Sequence, residues 1–181
     1  MEGVRPLGWL FPALSSEAVN WEAVYREELP RIYGFFRYRV GDRATAEDLT
    51  QATFEKAWRA RGRYRRDRAA VSTWLVAIAR NVAIDHFRRP RPEQPLGEAE
   101  PAADETPEAE MLRREERQRL LLLLAGLDGR ERELVALKYG AGATNRAIAR
   151  LTGLSESNVG TILHRTTAAL RAAWDEKGAR A

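Results

Sequence analysis

The amino-acid sequence predicts an all-α chain: two small helical domains joined by an acidic, proline-rich linker, the second of them a helix-turn-helix domain. Three observations predict it. Apolar residues recur at spacings of three and four through both halves of the chain, and alternating β-rich runs are absent. Charge falls into blocks: residues 21–89 carry 15 basic and 9 acidic side chains, residues 90–110 one and seven, and residues 111–181 thirteen and eight. The middle block also holds five of the eight prolines and no aromatic residue, so it cannot bury enough apolar surface to offset the entropy of ordering. The 181 residues thus divide into an extension (1–20), a first domain (21–89), a linker (90–110) and a second domain (111–176).

The extension contains Trp9, Leu10 and Phe11 but lacks a basic start and a small-x-small cleavage pattern, so no secretory signal is expected. Its run VRPLGWLFPAL has no functional account. Within 21–89, the run from Thr45 to Trp58 reads as a helix capped by Thr45, with Asp48 completing a weak capping box. Phe54 and Trp58 lie four apart and are expected on its buried side; Asp48, Gln51 and Glu55 share a polar stripe. Such a stripe is usually a solvated face. The segment Tyr64 to Asp67, with arginines on both sides, is a basic patch at a turn. A helix beginning at Ser72 or Thr73 follows, with Leu75, Ile78 and Val82 on its apolar side. Thr73, Arg80 or Asn81, and Arg88 fall on another, where hydroxyl, amide and guanidinium groups suit phosphates and base edges. Two more modest uses compete: an Asp85–Arg88 ion pair, and cations placed at a helix C-terminus before Pro90. Eleven of the fifteen aromatic residues fall in 21–89; a small core accounts for most of them, base stacking being the other use.

The second domain opens with a leucine-dense helix closed by Gly126 and Gly129, then a helix from Arg130 to Tyr139. Residues 140–144, GAGAT, lack the Gly-Lys-Ser/Thr ending of a phosphate loop and read as a helix stop followed by a cap at Thr144. A short helix to Leu151, a turn at Thr152, Gly153 and Leu154, and a longer helix capped by Ser155 complete a helix-turn-helix. Ile148, Leu151, Leu154, Val159, Leu163 and Leu170 would close its core. Ser157, Asn158, Thr161, His164 and Arg165 are the candidates to face DNA.

Composition excludes several classes. With no cysteine and two histidines, disulfides, thiolate or histidine metal sites and cysteine nucleophiles are not expected. No apolar run approaches the roughly 20 residues of a membrane helix, so neither membrane insertion nor export is expected, and the cytoplasm is the expected compartment. No nucleophile–base set or cofactor motif is present, so neither an enzyme nor a cofactor is expected. The arginine excess, 27 against three lysines, suits phosphate contact and is equally a mark of a GC-rich genome.

These runs resemble bacterial RNA polymerase sigma factors of the extracytoplasmic-function group, over about 21–89 and 112–174. AEDLTQATFEKAW is similar to the family segment that docks on the coiled coil of the polymerase β′ clamp, which implies that role for Asp48, Gln51 and Glu55 in place of a merely solvated face. YRRDRAAVSTWLVAIARNVAIDHFRR is similar to the region that melts and reads the minus-10 element. The resemblance implies a flipped-base pocket bordered by Tyr64, Thr73, Trp74 and Asn81, with Arg65, Arg66, Arg80, Arg88 and Arg89 near phosphates. Stacking and base-edge hydrogen bonds would offset the few kcal/mol that extracting a base costs. The second domain resembles the minus-35 reader, implying Thr144, Ser155, Ser157, Asn158, Thr161, His164 and Arg165 as its DNA-facing residues. Gly160 and Ile162 stand where the family often has Lys and Arg, and Ala147 where an acidic residue is frequent. The implied partners are core RNA polymerase, through its β′ clamp coiled coil and β flap, and promoter DNA. An anti-sigma protein is left open. The competing expectation is a helix-turn-helix regulator whose first domain senses a ligand or partner.

Overall fold

The computed structural model describes residues 19–88 and 107–178, and among them every regular element is helical. Helix α1 (Trp21–Val40) starts where the Asn20 side chain accepts from Ala23 N at 3.1 Å and stops at Gly41, whose φ of 82° ends the helical path. Helix α2 (Arg43–Ala60) is capped by Asp42, not Thr45: the Asp42 carboxylate accepts from Thr45 N at 2.7 Å. Both are good capping residues; the earlier one wins because its carboxylate reaches the exposed first-turn N–H groups. A 3₁₀ turn (Arg61–Arg63) leads to helix α3 (Val71–Arg88), which buries Leu75, Val76, Ala79, Val82 and Ala83, with Ile78 packed at the edge.

Helix α4 (Pro107–Ala125) starts inside the stretch assigned to the linker, and the rest of that stretch, with Arg89, lies outside the described residues. Helix α5 (Gly129–Val135) is capped by Asp128, which accepts from Arg130 N and Glu131 N, and continues as a π turn (Ala136–Gly140). Helices α6 (Asn145–Thr152) and α7 (Glu156–Gly178) form the expected helix-turn-helix. Thr144 accepts from Ala147 N, Gly153 turns the chain at φ 76°, and Ser155 accepts from Asn158 N. Ile148, Val159 and Leu163 are buried between the two helices, with Leu151, Leu154 and Leu170 packed around them.

Two expectations about packing change. First, α2 buries the small residues Ala46, Thr50, Thr53 and Ala57, whereas Phe54 is half-buried and Trp58 is 54% exposed. A three-four spacing gives the helical faces but not which of two neighbouring stripes meets α1 and α3. Here the closer approach goes to the small side chains.

Second, the cores of the two domains merge into one cluster, running from Ile32, Phe35 and Phe36 on α1 to Leu134 and Leu137 on α5 and its π turn. The junction is very close. A Cβ on Gly34 would lie 2.6 Å from the Gly140 carbonyl oxygen, and one on Gly140 would lie 2.6 Å from that of Gly34. Only glycine permits backbones to meet at this distance. On either side of the contact, Arg31 Nε donates to Ala141 O and Arg132 Nε to Tyr38 O, each at 3.0 Å.

Candidate polymerase and nucleic-acid interfaces

Three surfaces gather most of the residues singled out by the sequence. On α2, Asp48, Gln51 and Glu55 are all exposed on one stripe; Gln51 Nε2 donates to Glu55 Oε1 at 3.3 Å, and Glu55 also faces Arg59 at 3.6 Å. Exposed pairs of this kind contribute little to stability, so the stripe is available to a partner at small cost. Just behind it lies an apolar groove of about 530 Å³, walled by Trp21, Tyr25, Phe54, Trp58 and Leu75, with Gln51 and Glu55 on its rim.

The second surface surrounds the turn before α3. Tyr64 and Trp74 hold their rings 5.2 Å apart, and Trp21 from the start of α1 stands 6.1 Å from Tyr64 and 5.9 Å from Trp74. Tyr64 is fixed by its hydroxyl, which donates to Ala69 O at 3.0 Å. Trp21 is a member that sequence reasoning did not assign to this site; it precedes Tyr64 by more than forty residues, and no local pattern links them. Thr73 sits beside the cluster in sequence, Asn81 and Arg88 are exposed further along α3, and Arg65 and Arg66 are exposed on the turn. The Asp85–Arg88 ion pair is replaced by a pair between Asp85 and Lys56 at 3.3 Å.

Arg80 departs from this set. Its Nε donates to Glu133 of α5 at 2.9 Å, and both side chains are mostly buried between the domains. Arg39 also faces this carboxylate, and Arg132 stands close enough to Arg39 to feel its charge. Burial holds the Arg39 guanidinium below its ordinary range, with Glu133 opposing the shift and Arg80 adding to it. Arg132 is lowered by burial first and by Arg39 second, and one of its terminal nitrogens is buried without a hydrogen-bond partner. Two guanidinium groups, those of Arg80 and Arg39, therefore act on the single Glu133 carboxylate, while Arg132 beside them donates to Tyr38 O. Nothing in the local sequence of Glu133 signals this.

The third surface is the outer face of α7 and its approach. Thr144, Ser155, Ser157, Asn158, Thr161, His164 and Arg165 are all exposed, although Arg165 reaches Glu131 at 3.3 Å and the Thr161 hydroxyl donates to Ser157 O. Ile162 packs against the core, so it does not share that outer face. A Cβ at Gly160 would meet only the Asn145 side chain at 3.7 Å, an ordinary contact, so packing does not require glycine there.

Comparison with known proteins places both halves. Residues 24–92 match the model of Sigma-70 region 2, and residues 117–170 match that of Sigma-70, region 4. The chain belongs to the sigma-70 family, in its ECF group. This sigma factor is 33% identical over 156 residues to the RNA polymerase sigma factor CarQ of Myxococcus xanthus, covering 83% of this chain and 87% of CarQ. It is 33% identical over 162 residues to the ECF sigma factor BldN of Streptomyces coelicolor, spanning 87% of this chain and 61% of BldN. With SigL of Mycobacterium tuberculosis it shares 29% over 170 residues, 92% and 95% of the two chains. Its fold is similar to that of RpoE from Bartonella quintana, solved with the anti-sigma factor NepR (TM-score 0.69, 20% identity, covering 86% and 96%). The fold of CnrH, solved with the cytosolic domain of CnrY, is also similar (TM-score 0.57, 24% identity, covering 86% of each). No helix among the described residues is long and apolar enough to cross a membrane.

Proposed function

We propose that this sigma factor joins core RNA polymerase, directs it to a two-part promoter and opens the minus-10 region, with no covalent chemistry of its own. The presence of both sigma regions in one chain, at 24–92 and 117–170, carries the reading. In it, Asp48, Gln51 and Glu55 engage the β′ clamp. Tyr64, Thr73, Trp74 and Asn81, joined by Trp21, receive an extracted base, and Arg65, Arg66, Arg80, Arg88 and Arg89 hold phosphates. Three rings within about stacking range offer an extracted base the faces it loses from the duplex. Ser157, Asn158, Thr161, His164 and Arg165, with the caps Thr144 and Ser155, face the minus-35 element. The β flap is the proposed second contact on polymerase, the cytoplasm the proposed compartment, and a protein of the class of NepR a proposed inhibitor. A free-standing helix-turn-helix regulator is not favoured, because it leaves region 2 without a task.

The closed arrangement has a consequence for this reading. Thr73 and Thr144, proposed for opposite ends of the promoter, line one cavity of about 130 Å³ between the domains. In B-form DNA the two elements are separated by roughly 85 Å, at 3.4 Å per base step. Promoter binding therefore requires the junction to open. Run-off transcription with core polymerase tests the whole: promoter-dependent transcripts are expected, and their absence on every genomic template overturns the proposal.

A further inference from the structure

We propose that the apolar groove between α1 and α2 is a docking site for this chain's own N-terminal segment, with Trp9, Leu10 and Phe11 seated between Tyr25 and Trp58. The groove is unusual for a surface of so charged a chain. Tyr25 is 49% and Trp58 54% exposed, and Phe54 and Leu75 lie behind them. Tyr25 and Phe54 hold their rings edge to face at 4.7 Å, while Arg61 lies over the Trp58 ring with its guanidinium carbon 3.9 Å from the centroid. The aromatic walls are thus held in place before anything fills the space between them. Exposed apolar clusters of this size mark binding sites rather than idle surface.

The sequence supplies a matching occupant at the groove's edge. Residues 6–14, PLGWLFPAL, are free of charge in a chain whose charged fraction is 31%, and lie outside both sigma regions and outside the described residues. Six residues separate Leu14 from Trp21, itself a wall of the groove. Six extended residues span up to about 20 Å, whereas the rise along α2 from Gln51 to Trp58 is only about 10 Å. The tether therefore reaches the whole groove. It also holds the segment at an effective concentration in the millimolar range, an advantage that a second copy of the chain or a free peptide lacks. Pro6, Gly8 and Pro12 disfavour a long helix and suit a short segment laid into a cleft.

Gln51 and Glu55 form the rim, so a seated segment covers two of the three residues proposed for the clamp. This masking, unlike the docking, rests on the polymerase-binding reading given above. The segment would compete in cis with core polymerase.

The test uses the full chain with a photo-reactive benzophenone amino acid in place of Trp9. Irradiation is expected to give crosslinks within one molecule to residues 21–25 and 51–58, with a yield independent of protein concentration. Trp58→Glu should lower that yield at least fivefold and Trp58→Phe should keep it, with unchanged helical circular dichroism in both. Crosslinks elsewhere, or a yield that rises with concentration as chains join in pairs, would overturn the docking. Affinity for an isolated β′ clamp coiled coil is then compared between the natural chain and a Trp9→Ala, Phe11→Ala double variant. Severalfold tighter binding by the variant is expected. Equal affinity overturns the masking, while failure of both chains to bind the clamp overturns the polymerase reading and leaves the crosslinking result standing.

Discussion

Replacing Gly140 by alanine adds one methyl group and should part the two domains. The new Cβ would stand 2.6 Å from Gly34 O, 2.8 Å from Gly34 C and 2.8 Å from Phe35 Cα, all backbone atoms of a buried stretch of α1. Ordinary contact begins near 3.4 Å, so α1 and the π turn must separate by about 0.8 Å, and overpacking of this kind costs about 1–3 kcal/mol. The same movement stretches the bonds from Arg31 to Ala141 O, Arg132 to Tyr38 O and Arg80 to Glu133, now 3.0, 3.0 and 2.9 Å, beyond useful length. At about 1 kcal/mol for each, the closed pair loses on the order of 4–6 kcal/mol in all, a shift toward the open form of several hundredfold or more. Each domain should remain helical. The chain lacks cysteine, so Glu27→Cys and Arg171→Cys place spin labels on exposed sites of α1 and α7 without background. A single narrow distance is expected for the parent and a broad, longer distribution for Gly140→Ala. Gly62→Ala, whose Cβ meets nothing within 4 Å, serves as the control. An unchanged narrow distance in Gly140→Ala would refute the steric argument.

Three further outcomes are expected. Glu133→Gln removes the carboxylate that holds Arg80 and faces Arg39, and should tighten binding of the free chain to single-stranded minus-10 DNA severalfold with a steeper salt dependence; fluorescence anisotropy at two salt concentrations checks it, and equal affinities count against a hidden Arg80. Asp128→Ala leaves Arg130 N and Glu131 N of α5 without their cap and should cost about 1 kcal/mol of stability, visible as a lower midpoint in urea. Asp48→Arg with Gln51→Ala reverses the exposed stripe of α2 and should abolish co-purification with β′ while leaving the thermal midpoint within a few degrees; retained β′ would remove that stripe from the interface.

Local chemistry made the helix-turn-helix legible. Thr144, Gly153 and Ser155 act within three or four residues of themselves, and each does in the structure what its residue type implies. Helix α2 was legible as a helix but not in its orientation, because Phe54 and Trp58 have the same spacing whether they line a core or a groove. The cap of α2 was not legible either, because Asp42 and Thr45, three positions apart, are both competent and only the structure shows Asp42 accepting from Thr45 N. The junction was not legible at all. Arg80 and Glu133 are 53 positions apart and Arg31 and Ala141 are 110 apart, and their pairing follows from how two separately plausible domains meet. A sequence whose charge divides so cleanly around a linker suggests independent domains; the shared cluster around Phe35, Phe36 and Leu137 shows that they also have a common interior.

The meeting of Gly34 and Gly140 also bears on how this sigma factor can evolve. Every single-nucleotide change in a glycine codon that yields another amino acid introduces a side chain, and at either position its first carbon would strike the opposing main chain. One such event in either region would favour the extended form without touching a residue proposed to meet polymerase or promoter, and a compensating change has no smaller residue to turn to. Among descendants, closure should therefore be lost readily and regained only by reversion. Glycine at both places in a relative would mark a lineage in which the closed form has been kept under selection, and loss of either one would mark a sigma factor that has shed it.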